Sequence, residues 1–296
     1  MGDITLTSAT RTNLLSLQRT TNLIGRTQER LATGQKVNSA IDDALAFFKA
    51  RNLNSRAGDL ASIKDAIVGG IAVIRAAVQG LEAIESTLKQ LKALAQSAIA
   101  SPESSTRAKI ASQFNELRSQ VDNLSEDASF DGVNLLKNST SAFQAGADRL
   151  TVKFNERTTT AAINQLVVSG LNTTDFQSIL ARSALATGTA GATTVWGQTG
   201  TAAITAINRA IRAIDSALVT VRQTAQTFGT TSALLEIRRQ FTENLINTLR
   251  GGAADLVNAD LNEESANLLS LQTRQQLGTI SLSIAQQSEQ SVLRLF

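Results

Sequence analysis

From Leu60 to Ala98 an apolar or small residue returns at every third or fourth position: Leu60, Ile63, Ile67, Gly70, Ile74, Ala77, Leu81, Ile84, Leu88, Leu91, Ala95 and Ala98. Side chains spaced this way line one face of an α-helix that packs against others. At 1.5 Å per residue the uninterrupted stripe predicts a rod roughly 60 Å long. Such a rod cannot bury its face against itself, so the chain must supply other long helices, antiparallel to it where the connections are short. Composition permits this, because Pro occurs only once in 296 residues and Ala, Leu, Gln and Arg, which are plentiful, are good helix formers.

Four further segments carry the same spacing. The first runs through Leu14, Leu17, Thr21, Ile24, Gln28 and Leu31, with two polar members. Ser101-Pro102 stops the long helix, since a residue before proline disfavours helical backbone, and SPESS offers capping residues for a restart. A third stripe follows through Ile110, Phe114, Leu117, Val121, Leu124 and Ala128. The fourth reads Ile204, Ile207, Ile211, Ile214, Leu218, Val221, Ala225 and Phe228, and is expected to slip register near Gly229 before Leu234, Ile237, Phe241 and Leu245. Gly251-Gly252 is read as the break before the fifth, which holds Leu261, Leu268, Leu271 and Leu282 and reaches Val292 and the final residue, Phe296.

Between residues 139 and 200 the helical spacing gives way to Ser, Thr, Gly and Ala, with short alternating pieces such as RLTVKF at 149–154 that read as strands or turns. The low-charge stretch ATGTAGATTVWGQTG, 186–200, reads as an exposed loop that Trp196 anchors locally. The predicted fold is therefore mainly α: long antiparallel helices in a hairpin-shaped coiled-coil bundle, with a small β and loop region at mid-chain. Residues 1–37 hold five basic and two acidic side chains, net +3, and residues 251–296 hold two basic and five acidic, net −3. The two ends should attract, though screened surface charges contribute little.

Several function classes lose their chemistry at once. The chain has no His and no Cys, which removes the commonest general base, the thiol nucleophile and the usual transition-metal ligands. No catalytic, cofactor-binding or metal residue is assigned. Asp42-Asp43 and Glu263-Glu264 are adjacent carboxylates, but they fit capping and solvated faces better than a cation site. Ser39 and Asp42 have the spacing of a capping box, with Asp in place of the preferred Glu or Gln, so Asn38 or Ser39 is read as the start of the next helix. The 28 basic residues are scattered among 25 acidic ones, whereas a nucleic-acid binder clusters them. The run AIVGGIAVI, 66–74, is too short to span a bilayer, and MGDITLTSATRTNLL lacks the form of a cleavable signal peptide. Gly70, on the stripe, is read as a site of close packing, and Gly251-Gly252 as the better hinge candidate.

Three stretches, LATGQKVNSAIDDALAF at 31–47, SFDGVNLL at 129–136 and ADLNEESANLLSLQTRQQLG at 259–278, together with the closing SVLRLF, resemble the terminal signatures of bacterial flagellin. The resemblance covers about residues 1–155 and 200–296. It implies a structural subunit that polymerises with itself into the flagellar filament for swimming. It also implies an inner coiled-coil layer from 1–42 with 255–296, a second helical layer from 43–138 with 201–254, and a short outward region at 139–200 in place of large outer domains. On this reading Leu14, Leu17, Ile24, Leu31, Leu261, Leu268, Leu271, Leu282, Val292 and Phe296 form the assembly interface. An apolar stripe carried to the last side chain needs neighbours, because a partner arm interrupted by Thr21 and Gln28 cannot cover it.

The resemblance further implies export through the flagellar secretion channel without cleavage, an export chaperone on the C-terminal arm, and filament cap and hook-junction proteins as partners, with no nucleic acid and no membrane. It places LKQLKALA, 88–95, where recognised flagellins present roughly L-Q-R-V-R-E-L-A to a vertebrate innate-immune receptor. Gln90 and Ala93 depart from that pattern and Leu94 keeps it, which implies weak detection. The competing readings are a hook-filament junction protein, also flagellin-like at its ends, and a helical signalling module of the chemoreceptor kind, which would show a helical tip where this chain has Gly- and Thr-rich sequence.

Overall fold

The computed structural model describes residues 8–136, 149–156, 164–171, 196–198 and 200–293. Within them lie five helices and one small sheet: α1 (Ser8–Thr33), α2 (Ala44–Ala100), α3 (Ser104–Asp127), β1 (Arg149–Lys153), β2 (Gln165–Ser169), α4 (Thr201–Val257) and α5 (Leu261–Leu293). The strands pair antiparallel, with Thr151 opposite Val167. The mainly helical class and the strand at RLTVK agree with the sequence reading. Most of the stretch 186–200 lies outside the described residues. The chain divides into two compact units, residues 1–57 with 247–296 and residues 58–246.

The second unit holds the larger core. Ten of the twelve stripe residues of α2, from Leu60 to Ala98, are buried apolar side chains, and Gly70 is buried with them. From Ile67 onward these buried apolar side chains pack with Phe114 and Val121 of α3 and with Ile207, Ile214 and Val221 of α4. By length and composition α2 would pass for a membrane span, but its Ile67, Ile74, Ala77 and Leu81 are fully buried in this core.

In α4 the expected register slip does not occur. Val221, Phe228, Leu235 and Thr242 recur every seven residues and are all buried, while Leu234, Ile237 and Phe241 are exposed, Ile237 by 65%. Periodicity follows the largest apolar side chains, whereas packing here selects a line that includes a threonine. That hydroxyl is satisfied within the helix, where Thr242 Oγ1 donates to Arg238 O at 2.9 Å.

Two glycines in α2 are set by close approach. A Cβ on Gly70 would lie 2.7 Å from Val152 Cγ2 on β1, and one on Gly80 would lie 2.7 Å from both Ala128 Cβ and Leu136 Cδ1. Gly69, one residue before Gly70, has open space around it. Ala is the better helix former by about 1 kcal/mol, so Gly69→Ala is expected to stabilise the unit by up to that amount. Gly80→Ala is expected to destabilise it by about 1–2 kcal/mol, because overpacking outweighs propensity. Urea denaturation of the two variants side by side checks the opposite signs.

The stretch SFDGVNLL closes the end of α3. Phe130 and Val133 exchange two backbone hydrogen bonds of 3.0 Å across Asp131 and Gly132, whose φ angles are 51° and 76°. Positive φ at both central residues is the two-residue hairpin turn that Asp-Gly favours. Asn134 Nδ2 then donates to the carbonyls of Ser125 (2.8 Å) and Glu126 (3.1 Å) in the last turn of α3, and Leu135 and Leu136 enter the core.

At the corner between α2 and α3, Pro102 ends α2 as expected. The restart differs from the expected one, for Glu103 stands at the N-cap without a side-chain cap bond. The corner is held instead by buried Arg107, whose guanidinium donates to Ser101 O, Pro102 O, Trp196 O and Gln198 O at 2.8–3.1 Å. Trp196 is fully buried with its ring centroid 4.9 Å from that of Phe114. It therefore ties its segment into the core of the second unit, a wider role than the local anchor read from the sequence.

Candidate assembly surface

The first unit gathers both ends of the chain, with α1 packed along α5. A Cβ on Gly278 would lie 2.7 Å from Leu17 Cδ1, and Arg30 Nη1 donates to Glu264 Oε1 at 2.9 Å. Advancing along α1 from Leu17 to Arg30 thus means retreating along α5 from Gly278 to Glu264, so the two helices are antiparallel.

The buried and half-buried positions define the seam. On α1 they are Thr10, Leu17, Thr20, Ile24, Thr27 and Leu31, with Arg30 half-buried beside Leu31, and on α5 they are Glu264, Leu268, Leu271, Gln275, Gly278, Leu282 and Ala285. From Leu17 to Leu31 on α1, with Thr10 one full repeat earlier, and throughout the α5 series, the seam positions alternate steps of three and four with a seven-residue repeat, the pattern of a left-handed coiled coil. The α1 register differs from the sequence reading by one residue at two places. Thr20 and Thr27 line the seam, and Thr21 and Gln28 are exposed. The apolar members Leu17, Ile24 and Leu31 are common to both registers, so only packing could separate them.

The seam is sparing in apolar bulk. Thr, Gln, Gly and Ala occupy much of it, and its one buried carboxylate, Glu264, is neutralised by Arg30. The expected attraction between a basic first arm and an acidic last arm is realised in that ion pair, and Lys36 Nζ adds a hydrogen bond to the backbone carbonyl of Asp255 at 3.1 Å.

What the seam omits is displayed outside it. Leu269, Leu277, Ile280 and Ile284 of α5 are 56–67% exposed, and Leu15 and Leu23 of α1 are exposed as well. The positions picked out from the sequence fall in several places. Ile24 is buried in the seam, and Leu17, Leu31, Leu268, Leu271 and Leu282 are half-buried along it. Leu14 and Leu261 are exposed. Val292 lies in α5 without a described side chain, and Phe296 lies outside the described residues. The exposed quartet of α5 was absent from the sequence reading. Its signal was available, since Leu277, Ile280 and Ile284 form a second helical line beside the one chosen.

Where the two arms meet the long helices, short polar motifs set the geometry. Gly34, with φ 70°, closes α1, its N–H donating to Arg30 O at 2.8 Å. The chain then zips against the start of the C-terminal arm: Lys36 N donates to Val257 O at 2.7 Å and Ala259 N to Gly34 O at 2.9 Å. The helix passes through Gly251-Gly252 and breaks at Asn258–Asp260. Asp260 supplies the reason for the later break, because its Oδ1 accepts from Asn262 N and Glu263 N and so caps α5.

On the other arm, Asp42 Oδ2 accepts from Asn38 N (3.2 Å), Ser39 N (3.0 Å) and Ser39 Oγ (3.0 Å), building a tight turn. The backbone hydrogen bond from Ser39, followed by that residue's hydroxyl, holds the Asp42 carboxyl below the ordinary Asp range. The next residue, Asp43, caps α2 by accepting from Ala46 N at 3.0 Å. The long helix accordingly begins at Ala44, later than the expected Asn38 or Ser39.

On the second unit, Gln90 and Ala93 sit exposed on α2, and Leu94 is half-buried against the core. Lys92 between them pairs with Asp215 at 2.6 Å.

Comparison with known proteins places these features. The bacterial flagellin N-terminal helical region matches residues 4–141 and the bacterial flagellin C-terminal helical region matches residues 211–296. Flagellin FljM of Caulobacter vibrioides is 33% identical over 96% of this chain and 94% of its own length. Flagellin C of Rhizobium meliloti is 29% identical over 100% and 99%. A crystal structure of Bacillus cereus flagellin is similar at 14% identity, with a TM-score of 0.46 over 60% of this chain and 88% of that one. The chain belongs to the bacterial flagellin family, the structural subunits that polymerise into the flagellar filament.

Proposed function

We propose that this subunit builds the filament through the apolar side chains that α1 and α5 display outside their shared seam. The observation that carries the reading is the exposure of Leu269, Leu277, Ile280 and Ile284 on a helix whose intrachain seam is filled largely by small and polar residues. A contiguous exposed apolar face on a thin helix pair is a protein–protein surface. In this reading Leu17, Ile24, Leu31, Leu268, Leu271 and Leu282 hold the pair together, and Leu14, Leu261, Val292 and Phe296 join the exposed quartet as contacts between subunits. Residues 1–42 with 255–296 form the inner layer, 43–138 with 201–254 the second layer, and 139–200 the outward region. The test is electron microscopy of purified protein after salt-induced polymerisation. Long helical filaments are expected, and a chain that stays monomeric under all salting-out conditions would overturn the reading.

The same proposal covers the protein's route and partners. The subunit leaves the cell uncleaved through the flagellar secretion channel, with an export chaperone on α5. It meets the cap and hook-junction proteins at the polymer's ends, and it engages neither nucleic acid nor membrane. It needs no cofactor and catalyses no reaction, in keeping with a structural family.

At the exposed positions Gln90 and Ala93, the fork of donors and the carboxylate that recognised flagellins present are missing. Losing such a contact at an interface centre costs about 2 kcal/mol or more. A receptor reporter assay is expected to show weak signalling by the monomer, restored by Gln90→Arg with Ala93→Glu. Full signalling by the unaltered chain would refute this.

A further inference from the structure

A wholly exposed isoleucine stands on a rigid turn a few residues from an apolar cleft of the same unit. Ile41 is 96% exposed at the tip of the 39–42 turn. Three hydrogen bonds into the Asp42 carboxylate fix that turn, so the side chain is held out with little freedom to fold back. The cleft, about 520 Å³, has a floor of Val37, Phe47, Ala50 and Val257 and a polar rim that includes Arg51 and Asn54. Its volume accommodates a branched aliphatic side chain with its flanking backbone. Among the described residues Arg51 has no ion-pair partner, whereas Asp42 and Asp43 follow Ile41 directly.

We propose that Ile41 of one subunit enters the Val37/Phe47/Ala50/Val257 cleft of the next, with the acidic turn beside Arg51. The occupant is a second copy of this chain. Ile41 does not fill its own cleft, since it is almost fully solvated, and the pairing matches apolar tip to apolar floor and carboxylates to a cation. Knob and hole are different surfaces of one molecule. The contact is therefore head-to-tail, and repeating such a contact produces a ring or an open helix, the geometry a filament requires. An exposed isoleucine locked in place gains contact area on docking at small entropic cost, which is what makes a rigid apolar anchor effective.

The inference rests on the polymerising function proposed above, and the experiment separates the two. The chain has no cysteine, so Ile41→Cys and Asn54→Cys can be made singly, one of them labelled with ¹⁵N, mixed in equal amounts, polymerised with salt and oxidised. Mass spectrometry should find disulfides joining position 41 of one isotopic form to position 54 of the other in filaments, at least fivefold above either homotypic link, and none in monomer. Ile41→Lys should raise the critical concentration for assembly at least tenfold while leaving the monomer's thermal unfolding unchanged. If the unaltered chain and both cysteine variants polymerise without the heterotypic link, or Ile41→Lys assembles like the unaltered chain, the inference fails and the filament function stands. If the unaltered chain forms no polymer, both fall.

Discussion

A chain lacking residues 257–296 is expected to fold and to form no filament. The core of the second unit runs from α2 through α3 to α4 and uses no residue of α5, so its cooperative unfolding should stay within a few degrees of the full-length value. What the truncation removes is the exposed apolar line of α5 together with the partner of α1. The α1–α5 seam offers few large apolar side chains to offset the ordering of two helices of 26 and 33 residues, an entropy cost of about 1–2 kcal/mol per residue for the backbone. Brief proteolysis of full-length monomer should accordingly trim both ends and leave a core near residues 43–255, and the same treatment should spare the arms in filaments. The measurements are sedimentation and electron microscopy after salting out, with circular dichroism to confirm the fold. Filaments from the truncated chain would exclude an assembly role for α5.

Trp196→Ala is expected to destabilise the second unit by about 3–5 kcal/mol, the usual cost of emptying a large aromatic site. The indole is fully buried against Phe114, and its backbone carbonyl is one of four that accept from Arg107. Domains are stable by about 5–15 kcal/mol, so this one substitution should move the urea midpoint further than any single change in the α1–α5 seam. It is the only tryptophan, so the unaltered protein should show blue-shifted emission that shifts red when this unit unfolds. The variant is followed by circular dichroism. A loss below about 1 kcal/mol would mean that the segment around Trp196 contributes little to the core.

Legibility tracked the size of the buried side chains. The stripe of α2 could be read almost residue by residue, because there the large apolar side chains and the buried face coincide, as at Leu81, Leu88 and Leu91. In α3 Phe114 and Val121 are buried as read, while Ile110, Leu117, Leu124 and Ala128 are half-buried and Arg107, Ala111 and Ser125 complete the buried face. The stop at Pro102 was equally plain, since proline acts locally, and the alternation of RLTVK allowed the strand that the structure forms. In α4 and in both arms the coincidence fails. Ile237 and Phe241 are exposed while Thr242 is buried, and Thr27 is buried while Leu269 and Ile284 are exposed.

The sequence alone thus determined that this is a chain of long helices whose ends carry apolar side chains beyond what a soluble pair needs, and its signature stretches identified the family. It also determined local devices such as the stop of the long helix at Ser101-Pro102, because those depend on neighbouring residues only. The tertiary structure decided which line of each amphipathic helix faces inward. It also decided where the C-terminal arm bends, at the cap supplied by Asp260 instead of at Gly251-Gly252, and that Arg107 and Trp196 lock together. A helix with apolar residues on two faces has two nearly equivalent burial solutions, and only the partner's shape, such as Gly278 admitting Leu17 or Arg30 reaching Glu264, selects between them.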